Sequence, residues 1–188
     1  MDQTKEYNLD LSLPLRGTGA VYLIGFMGSG KSYWGKQLGQ ALGVPFFDLD
    51  EKIEENEERP ITEIFAVEGE EYFRRIESEV LMMLTETHHS FVMATGGGTP
   101  CYFNNIDYMN KKGTTIWINC QVDCLFGRLV HEKEKRPLLK DLSDEQMKTY
   151  ITKKLGDRKI FYQQASEILY ENELSLDNFL GRILQEEK

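Results

Sequence analysis

The strongest constraint on this chain is the octapeptide GFMGSGKS at residues 25–32, which has the residue pattern of a P-loop. An apolar run, Ala20 to Ile24, comes directly before it, and an amphipathic segment with Trp34, Leu38 and Leu42 on one face follows. A P-loop requires this order of strand, loop and helix. A glycine-rich turn with no ligand is the simpler alternative, and the complete match in this context argues against it.

The residue types in the octapeptide suit phosphate binding. Small residues at Gly28, Ser29 and Gly30 allow the backbone to curl until several N–H groups point at one anion. The following helix adds its partly positive N-terminus. Lys31 can reach the β- and γ-phosphates, and the Ser32 hydroxyl can ligate Mg²⁺. The sequence therefore predicts a site that binds a nucleotide phosphate and can hold Mg²⁺.

Net charge limits the partners of this site. The 188 residues include 22 Lys and Arg against 31 Asp and Glu, which gives a formal charge of −9. Because nucleic-acid binding depends on neutralising phosphates, we expect no nucleic-acid partner. A small anionic substrate can still bind where arginines cluster in a cleft.

The cysteine content and the hydropathy of the chain indicate its cellular compartment. The cysteines at positions 101, 120 and 124 are too few for a disulfide framework, and their spacing does not match a zinc knuckle. The N-terminus has no signal-like apolar region, and no run approaches the about 18 apolar residues of a membrane span. We expect a soluble, cytoplasmic protein with no membrane partner.

Apolar strands alternate with helical segments along the chain, which predicts an α/β fold with a parallel sheet covered on both faces. We expect a flexible leader over residues 1–19 and one domain over residues 20–188, with a three-layer α/β/α architecture and a five-stranded parallel sheet. The charged segment 131–142 contains a proline and has no periodicity, which predicts a mobile lid. The predicted strands are residues 20–24, 44–47, 91–94, 114–118 and 168–170.

Asp48 and Asp50 follow the second predicted strand, at the sheet edge that carries the P-loop. One carboxylate can serve the magnesium shell while the other accepts a hydrogen bond from a substrate hydroxyl. The alternative is a pair of aspartates that cap the next helix.

Three further features are ambiguous when taken alone. Arg74 and Glu77 are neighbours on one helix surface, and a solvated ion pair is the default interpretation. The triplet Gly96, Gly97 and Gly98 follows the third strand and indicates either close approach to the backbone or a loose turn. Three arginines would by default lie on the surface, although the one in the predicted lid could bring a cation to a phosphoryl donor: Arg128, Arg136 and Arg158.

Taken together, these motifs resemble the shikimate kinases in order and spacing over about residues 21–183. The motifs are GFMGSGKS at residues 25–32, DLD at 48–50, ITEIF at 61–65, EGE at 68–70, FRRIE at 73–77, TGGG at 95–98 and RPLL at 136–139. The resemblance implies a P-loop kinase fold of the nucleoside monophosphate kinase-like type. It also implies ATP-dependent phosphorylation of the 3-hydroxyl of shikimate, a step of aromatic amino-acid biosynthesis, by a monomer.

The resemblance implies roles at the donor side of the site. Lys31 would hold the γ-phosphate, Ser32 would ligate Mg²⁺ and Asp48 would join the magnesium shell through water. Arg136 would stabilise charge on the transferred group, and Arg128 would lie on the adenine side. The nucleotide-binding set is completed by the loop residues and by a tyrosine where the family has a small hydroxyl residue: Gly28, Ser29, Gly30 and Tyr33.

It implies a second set at the acceptor side. Asp50 would bind the reacting hydroxyl and act as base, while Arg74 and Arg158 would grip the shikimate carboxylate, a task that suits the planar guanidinium. Glu77 would orient Arg74. The glycines Gly96, Gly97 and Gly98 would line the pocket. The chain departs from the family after Arg158, where KIFY replaces a segment that contains proline.

Two alternatives remain open at this stage. One is another P-loop kinase of a polar metabolite, such as gluconate or a nucleoside monophosphate; a carboxylate clamp of Arg74 and Arg158 favours a small carboxylic acid over a nucleoside. The other is a nucleotide-binding regulatory domain without turnover, which would not need a substrate base.

Overall fold

The computed structural model describes residues 19–133, 136 and 138–184. Five strands form one parallel sheet in the order β2-β3-β1-β4-β5, which confirms the predicted architecture. The strands are β1 (Ala20–Ile24), β2 (Phe46–Asp48), β3 (Phe91–Ala94), β4 (Gly113–Asn119) and β5 (Glu167–Tyr170).

Helices connect these strands and cover both faces of the sheet. They are α1 (Lys31–Leu42), α2 (Leu49–Glu57), α3 (Ile61–Val67), α4 (Gly69–Thr87), α5 (Asn105–Lys112), α6 (Val122–Val130), α7 (Asp144–Tyr162) and α8 (Leu176–Ile183). Two short 3₁₀ turns, Thr99–Cys101 and Glu171–Glu173, were not predicted from the sequence. Ser143 begins α7 with the predicted capping box, in which its hydroxyl accepts from Gln146 N at 3.2 Å.

Alternation along β1 divides the core into two halves. Tyr22 and Ile24 point to one face, where they join Phe73 and Leu81 of α4. Val21 and Leu23 point to the other face and join a cluster that includes residues of α1 and α8. Because successive strand residues face opposite sides, the fully buried β1 requires helices on both faces.

Strand register places three loops side by side at one edge of the sheet. Leu23 of β1 and Asp48 of β2 both pair with Ala94, the last residue of β3. The P-loop, the start of α2 and the segment after Ala94 therefore leave the sheet at the same level, which is where ligands bind in open α/β sheets.

β4 and β5 extend one residue beyond the predicted bounds, at both ends of β4 and at the start of β5, and two further details differ from the predictions. β2 begins at Phe46, not Val44, and is half-buried, not fully buried, because it lies at the sheet edge and pairs with one neighbour. α2 begins at Leu49, so Asp50 lies in the first helical turn and not at the strand end.

The predicted leader, apart from Gly19, lies outside the described residues, as do positions 134, 135 and 137 of the predicted lid. In the described part of that segment, Leu139 is buried and Leu138 is exposed. No helix in the described part of the chain is long and apolar enough to cross a membrane.

Candidate active site

The P-loop has the backbone conformation that an anion cradle needs. Gly28 and Gly30 have φ values of +77° and +97°, in the left-handed region that favours glycine. Gly30 is the N-cap of α1 and has no side chain to accept hydrogen bonds from the first-turn amides. The first turn of α1 also has no acidic residue. The helix N-terminus is therefore available to a phosphate group.

Lys31 folds back over the loop. Its Nζ donates to the carbonyl oxygens of Gly25 and Phe26, both at 2.9 Å. Burial lowers the pKa of the Lys31 ammonium to about 8, while the charges of Asp50 and Asp48 oppose that shift. The ammonium is thus fixed at the mouth of the cradle, where a phosphate oxygen would be its natural counter-ion.

Ser32 and Asp48 form the candidate magnesium site. Ser32 Oγ donates to Asp48 Oδ2 at 2.5 Å, and Asp48 Oδ1 accepts from Asp50 N at 3.2 Å. Asp48 therefore caps α2, as the alternative interpretation predicted, while its second oxygen faces the P-loop. Two adjacent oxygen donors beside a phosphate cradle fit Mg²⁺, which prefers hard ligands and is commonly held by few protein groups.

The carboxyl of Asp50 has a shifted pKa. Burial raises the pKa of its carboxyl to about 6; Asp48 and Glu77 add to the rise, and Lys31 and Arg74 oppose it. The residue still has substantial contact with water, because it borders an open cavity. A carboxylate with a raised pKa at a cavity wall can accept a proton from a substrate hydroxyl.

The P-loop lines a cavity of about 690 Å³. Most of the predicted donor-side residues line it, including the predicted nucleotide residue Tyr33, whose side chain is exposed. Six lining residues were not among the predicted site residues: Met27, Trp34, Thr95, Glu132, Glu171 and Leu174.

Two arginines border the nucleotide end of this cavity. Arg128 Nη1 donates to the carbonyl oxygens of Gly28 and Ser29, at 3.1 and 3.2 Å. Arg136 Nη2 donates to Glu132 Oε2 at 2.6 Å. The first arginine is tied to the P-loop, whereas the second pairs with a partly exposed carboxylate that a phosphate could replace.

The pair of Arg74 and Glu77 is buried, which corrects the solvated ion pair that the residues alone favoured. Arg74 Nη1 donates to Glu77 Oε2 at 2.8 Å, and the Glu77 side chain has 0% exposure. The other carboxylate oxygen accepts from Thr99 Oγ1 at 2.6 Å. Because both oxygens are bonded in the interior, Glu77 holds the Arg74 guanidinium in a fixed orientation.

The glycine triplet is tightly enclosed, which excludes the loose turn. A Cβ at Gly96 would lie 2.7 Å from Glu77 Oε1, and one at Gly98 would lie 2.6 Å from Arg74 Nη1. A Cβ at Gly97 would lie 3.0 Å from Arg158 Nη1. Because these three positions have no side chains, Arg74, Arg158 and Glu77 can all pack against the same turn of backbone.

Arg158 is oriented by residues that the sequence analysis did not assign. Its guanidinium carbon lies 5.5 Å from the centroid of the Phe26 ring. Tyr162, one helical turn further along α7 and fully buried, donates to Gly97 O at 2.6 Å. The sequence did contain a signal for Tyr162: it lies four residues after Arg158, and residues at that spacing share a helix face.

Comparison with known proteins identifies the family. The family model described as "Shikimate kinase" matches residues 27–187. The chain belongs to the shikimate kinase family.

Individual relatives agree. The shikimate kinase of Azobacteroides pseudotrichonymphae is 39% identical over 164 residues, which cover 87% of this chain and 96% of that protein. The crystal structure of shikimate kinase from Bacteroides thetaiotaomicron is 38% identical, with a TM-score of 0.78 over 83% of this chain and 88% of that one. Shikimate kinase from Acinetobacter baumannii in complex with shikimate is 30% identical, with a TM-score of 0.75 over 86% and 88% of the two chains.

Family membership confirms the predicted P-loop kinase fold and the predicted enzyme class, ATP-dependent phosphorylation of shikimate in aromatic amino-acid biosynthesis with ATP and Mg²⁺. A gluconokinase from Sinorhizobium meliloti shares 15% identity and a TM-score of 0.52, a likeness of fold alone. The roles of individual site residues rest on the geometry described above.

Proposed function

We propose that this shikimate kinase transfers the γ-phosphoryl group of ATP to the 3-hydroxyl of shikimate across the edge of the sheet. The P-loop, Lys31 and Arg136 form the donor side. The turn of Gly96, Gly97 and Gly98, together with Arg74 and Arg158, forms the acceptor side. Asp50 lies where the two sides meet, since its charge interacts with both Lys31 and Arg74.

The observation that carries this proposal is the convergence of two arginines on one glycine turn beside Asp50. A Cβ on Gly98 would contact Arg74 and a Cβ on Gly97 would contact Arg158, so the two guanidinium groups lie at adjacent residues of the same turn. Two planar cations suit a small carboxylic acid. A nucleoside acceptor has no carboxylate for such a clamp to bind, and a regulatory domain without turnover needs no carboxylate base beside it.

Asp50 would accept the hydrogen bond, and then the proton, of the attacking hydroxyl. Its raised pKa of about 6 lets it accept a proton near neutral pH while it stays mostly ionised there. Lys31, whose Nζ already faces the loop carbonyls, would hold the transferred group in line with that hydroxyl. Since phosphoryl transfer has a loose transition state, alignment and charge neutralisation account for most of the catalysis.

When bound, Mg²⁺ would supply positive charge beside the phosphates and the leaving group. Ser32 Oγ and the Asp48 carboxylate are the protein groups placed to hold it. We propose that the segment at 131–142 is a lid. When it closes, Arg136 would exchange its contact with Glu132 for a contact with the phosphoryl oxygens. Arg128 would border the adenine, with Tyr33 at the exposed rim.

We also propose a cytoplasmic monomer without nucleic-acid or membrane partners. The formal charge of −9 opposes binding to nucleic acid, and the three cysteines are free thiols.

An acceptor-selectivity assay tests the proposed function. ADP release from ATP·Mg²⁺ is measured with shikimate, gluconate and nucleoside monophosphates in parallel, and the product is identified by ³¹P NMR. We expect release with shikimate alone and a phosphate on the 3-hydroxyl. Release with another acceptor would reassign the substrate, and no release with any acceptor would favour a regulatory domain.

A further inference from the structure

A thiol-rich cluster lies beside the nucleotide cavity and has no role in phosphoryl transfer. It consists of Cys120, Cys124 and Glu171, whose Sγ and carboxylate atoms all lie within 4.8 Å of one another. Cys120 is buried, and the other two side chains are half-buried. The spacing of the cysteines did not indicate a metal site because the third donor comes from a distant part of the chain.

Sheet topology explains why these residues meet. β4 and β5 are adjacent parallel strands, and Asn119 pairs with Tyr170 at their carboxyl ends. The next residue on each strand is a cluster member, Cys120 after β4 and Glu171 after β5. Cys124 then comes from the first turn of α6. The cluster is therefore built on the ends of two paired strands, which are rigid elements.

We propose that Cys120, Cys124 and Glu171 bind one divalent cation of the zinc class. Tetrahedral zinc sites with Zn–S bonds of about 2.3 Å place two sulfurs about 3.8 Å apart, a separation that lies within the 4.8 Å limit on these donors. Three protein ligands leave a fourth position open to water. This metal would be distinct from the Mg²⁺ of the reaction, because thiolates select soft and borderline ions. The inference does not depend on the roles proposed for phosphoryl transfer.

Neighbouring groups support the donor set. Gln121 N donates to Glu171 Oε2 at 3.4 Å, which restrains the carboxylate. Arg128 Nη1 lies 3.8 Å from Cys120 Sγ. With two thiolates, one carboxylate and a divalent cation, the site would carry a net charge of −1, which the Arg128 guanidinium can offset. Because Glu171 lines the nucleotide cavity, the bound cation would lie at its wall.

Cobalt(II) titration of the metal-free protein tests this proposal. The full chain is kept reduced with a phosphine, so that a disulfide does not form. We expect one equivalent of Co²⁺ to produce a thiolate-to-cobalt charge-transfer band and the visible bands of a tetrahedral site, and one equivalent of Zn²⁺ to abolish them. Co²⁺ at Ser32 and Asp48 would give no such band, because those ligands are oxygens.

Variants at Cys124, Glu171 and Cys101 decide the assignment. Cys124→Ser should lose the charge-transfer band, and Glu171→Gln, on a surface turn, should weaken Co²⁺ affinity by at least about tenfold. Cys101→Ser, which removes the half-buried thiol outside the cluster, should keep the wild-type spectrum. A wild-type protein without the band, or a band that survives Cys124→Ser or disappears in Cys101→Ser, would overturn the proposal.

Discussion

The fully buried carboxylate of Glu77 accepts a 2.8 Å hydrogen bond from Arg74 Nη1, and this contact sets the geometry of the acceptor side. Breaking a buried pair by removing one partner leaves an uncompensated charge, so the two groups constrain each other. Glu77 is held in turn by Thr99, which comes from the turn after the glycine triplet. The orientation of a predicted substrate ligand therefore depends on two separate segments of the chain, α4 and the turn at residues 96–99.

Gly98→Ala is expected to fold normally and to raise the KM for shikimate by about 10- to 100-fold. The backbone at Gly98, with φ −94° and ψ −19°, accepts alanine, but the new methyl would lie 2.6 Å from Arg74 Nη1 and displace the guanidinium. Loss of a charge-assisted hydrogen bond costs about 1.5–3 kcal/mol, which corresponds to this factor. Steady-state kinetics with shikimate as the varied substrate measures the change.

Gly156→Ala is the matched control for that variant. A Cβ at this position of α7 would have no neighbour within 4 Å, so the KM for shikimate should not change. Its Tm should rise, since alanine is favoured over glycine in a helix by up to about 1 kcal/mol. An unchanged KM in Gly98→Ala would show that Arg74 does not contact shikimate.

Glu77→Gln is expected to change two quantities together. The KM for shikimate should rise, because the neutral amide no longer gives Arg74 a charged partner. The acid limb of the pH profile of kcat/KM should also move to lower pH, since Glu77 is one of the carboxylates that raise the pKa of Asp50. A merely structural role would leave the pH profile in place, which separates the two explanations.

Asp50 should set the acid limb of the activity profile. With its pKa raised to about 6, kcat/KM should fall tenfold per pH unit below about pH 6, as the carboxylate gains a proton. Lys31, with a pKa lowered to about 8, should set the basic limb of the same profile in the free enzyme. A profile that stays flat from pH 5 to pH 9 would contradict both assignments.

Stability should respond to Asp50 in the opposite direction to activity. Because its folded-state pKa is raised above the unfolded value, the folded protein prefers the protonated carboxyl, and ionisation at neutral pH is destabilising. Asp50→Asn should therefore keep or raise Tm at pH 7.5 while it removes most turnover. At pH 4.5 the gain in Tm should largely disappear. A variant with near-full turnover would exclude Asp50 as base.

Removal of either donor-side cation, Lys31 or Arg136, should lower kcat with little effect on folding. Lys31→Met should lower kcat by about 10²- to 10³-fold, the usual effect of removing one preorganised donor to developing charge. Arg136→Ala should lower kcat by about 10³-fold, with little change in the KM for shikimate. Arg75→Ala provides the control, because that arginine is 58% exposed and its contact with Glu79 is 3.9 Å. Equal losses in all three variants would point to a general charge effect.

Local patterns predicted most of the fold and the donor side. The order of strand, P-loop and helix is contained in residues 20–42, and the strand bounds of β1 and β3 agree with the structure because continuous apolar runs in a parallel sheet end where the loops begin. Resemblance to the family then brought Arg74, Arg136 and Arg158 into the predicted site. The edge position of β2 was not evident, since a short apolar run does not reveal how many neighbours it has.

Contacts between distant residues could not be predicted in the same way. The spacing of Arg74 and Glu77 shows that they share a helix surface, but not that Thr99 and the glycine turn cover this surface. Tyr162 reaches Gly97 across 65 positions of sequence, and Glu171 reaches the cysteines only because β4 and β5 pair. Such contacts follow from tertiary packing, which the periodicity of one segment does not specify.

The central claim is that Arg74 and Arg158 select the substrate by its carboxylate, and comparison of shikimate with its methyl ester tests it most directly. The account predicts that wild-type kcat/KM favours the acid by at least about 10²-fold, given about 1.5–3 kcal/mol for each charge-assisted contact. In Arg158→Met this ratio should fall by about 10- to 100-fold, mainly through loss of activity on the acid, because only the Arg74 contact remains. A wild-type ratio near one, or a ratio unchanged in Arg158→Met, would contradict the account.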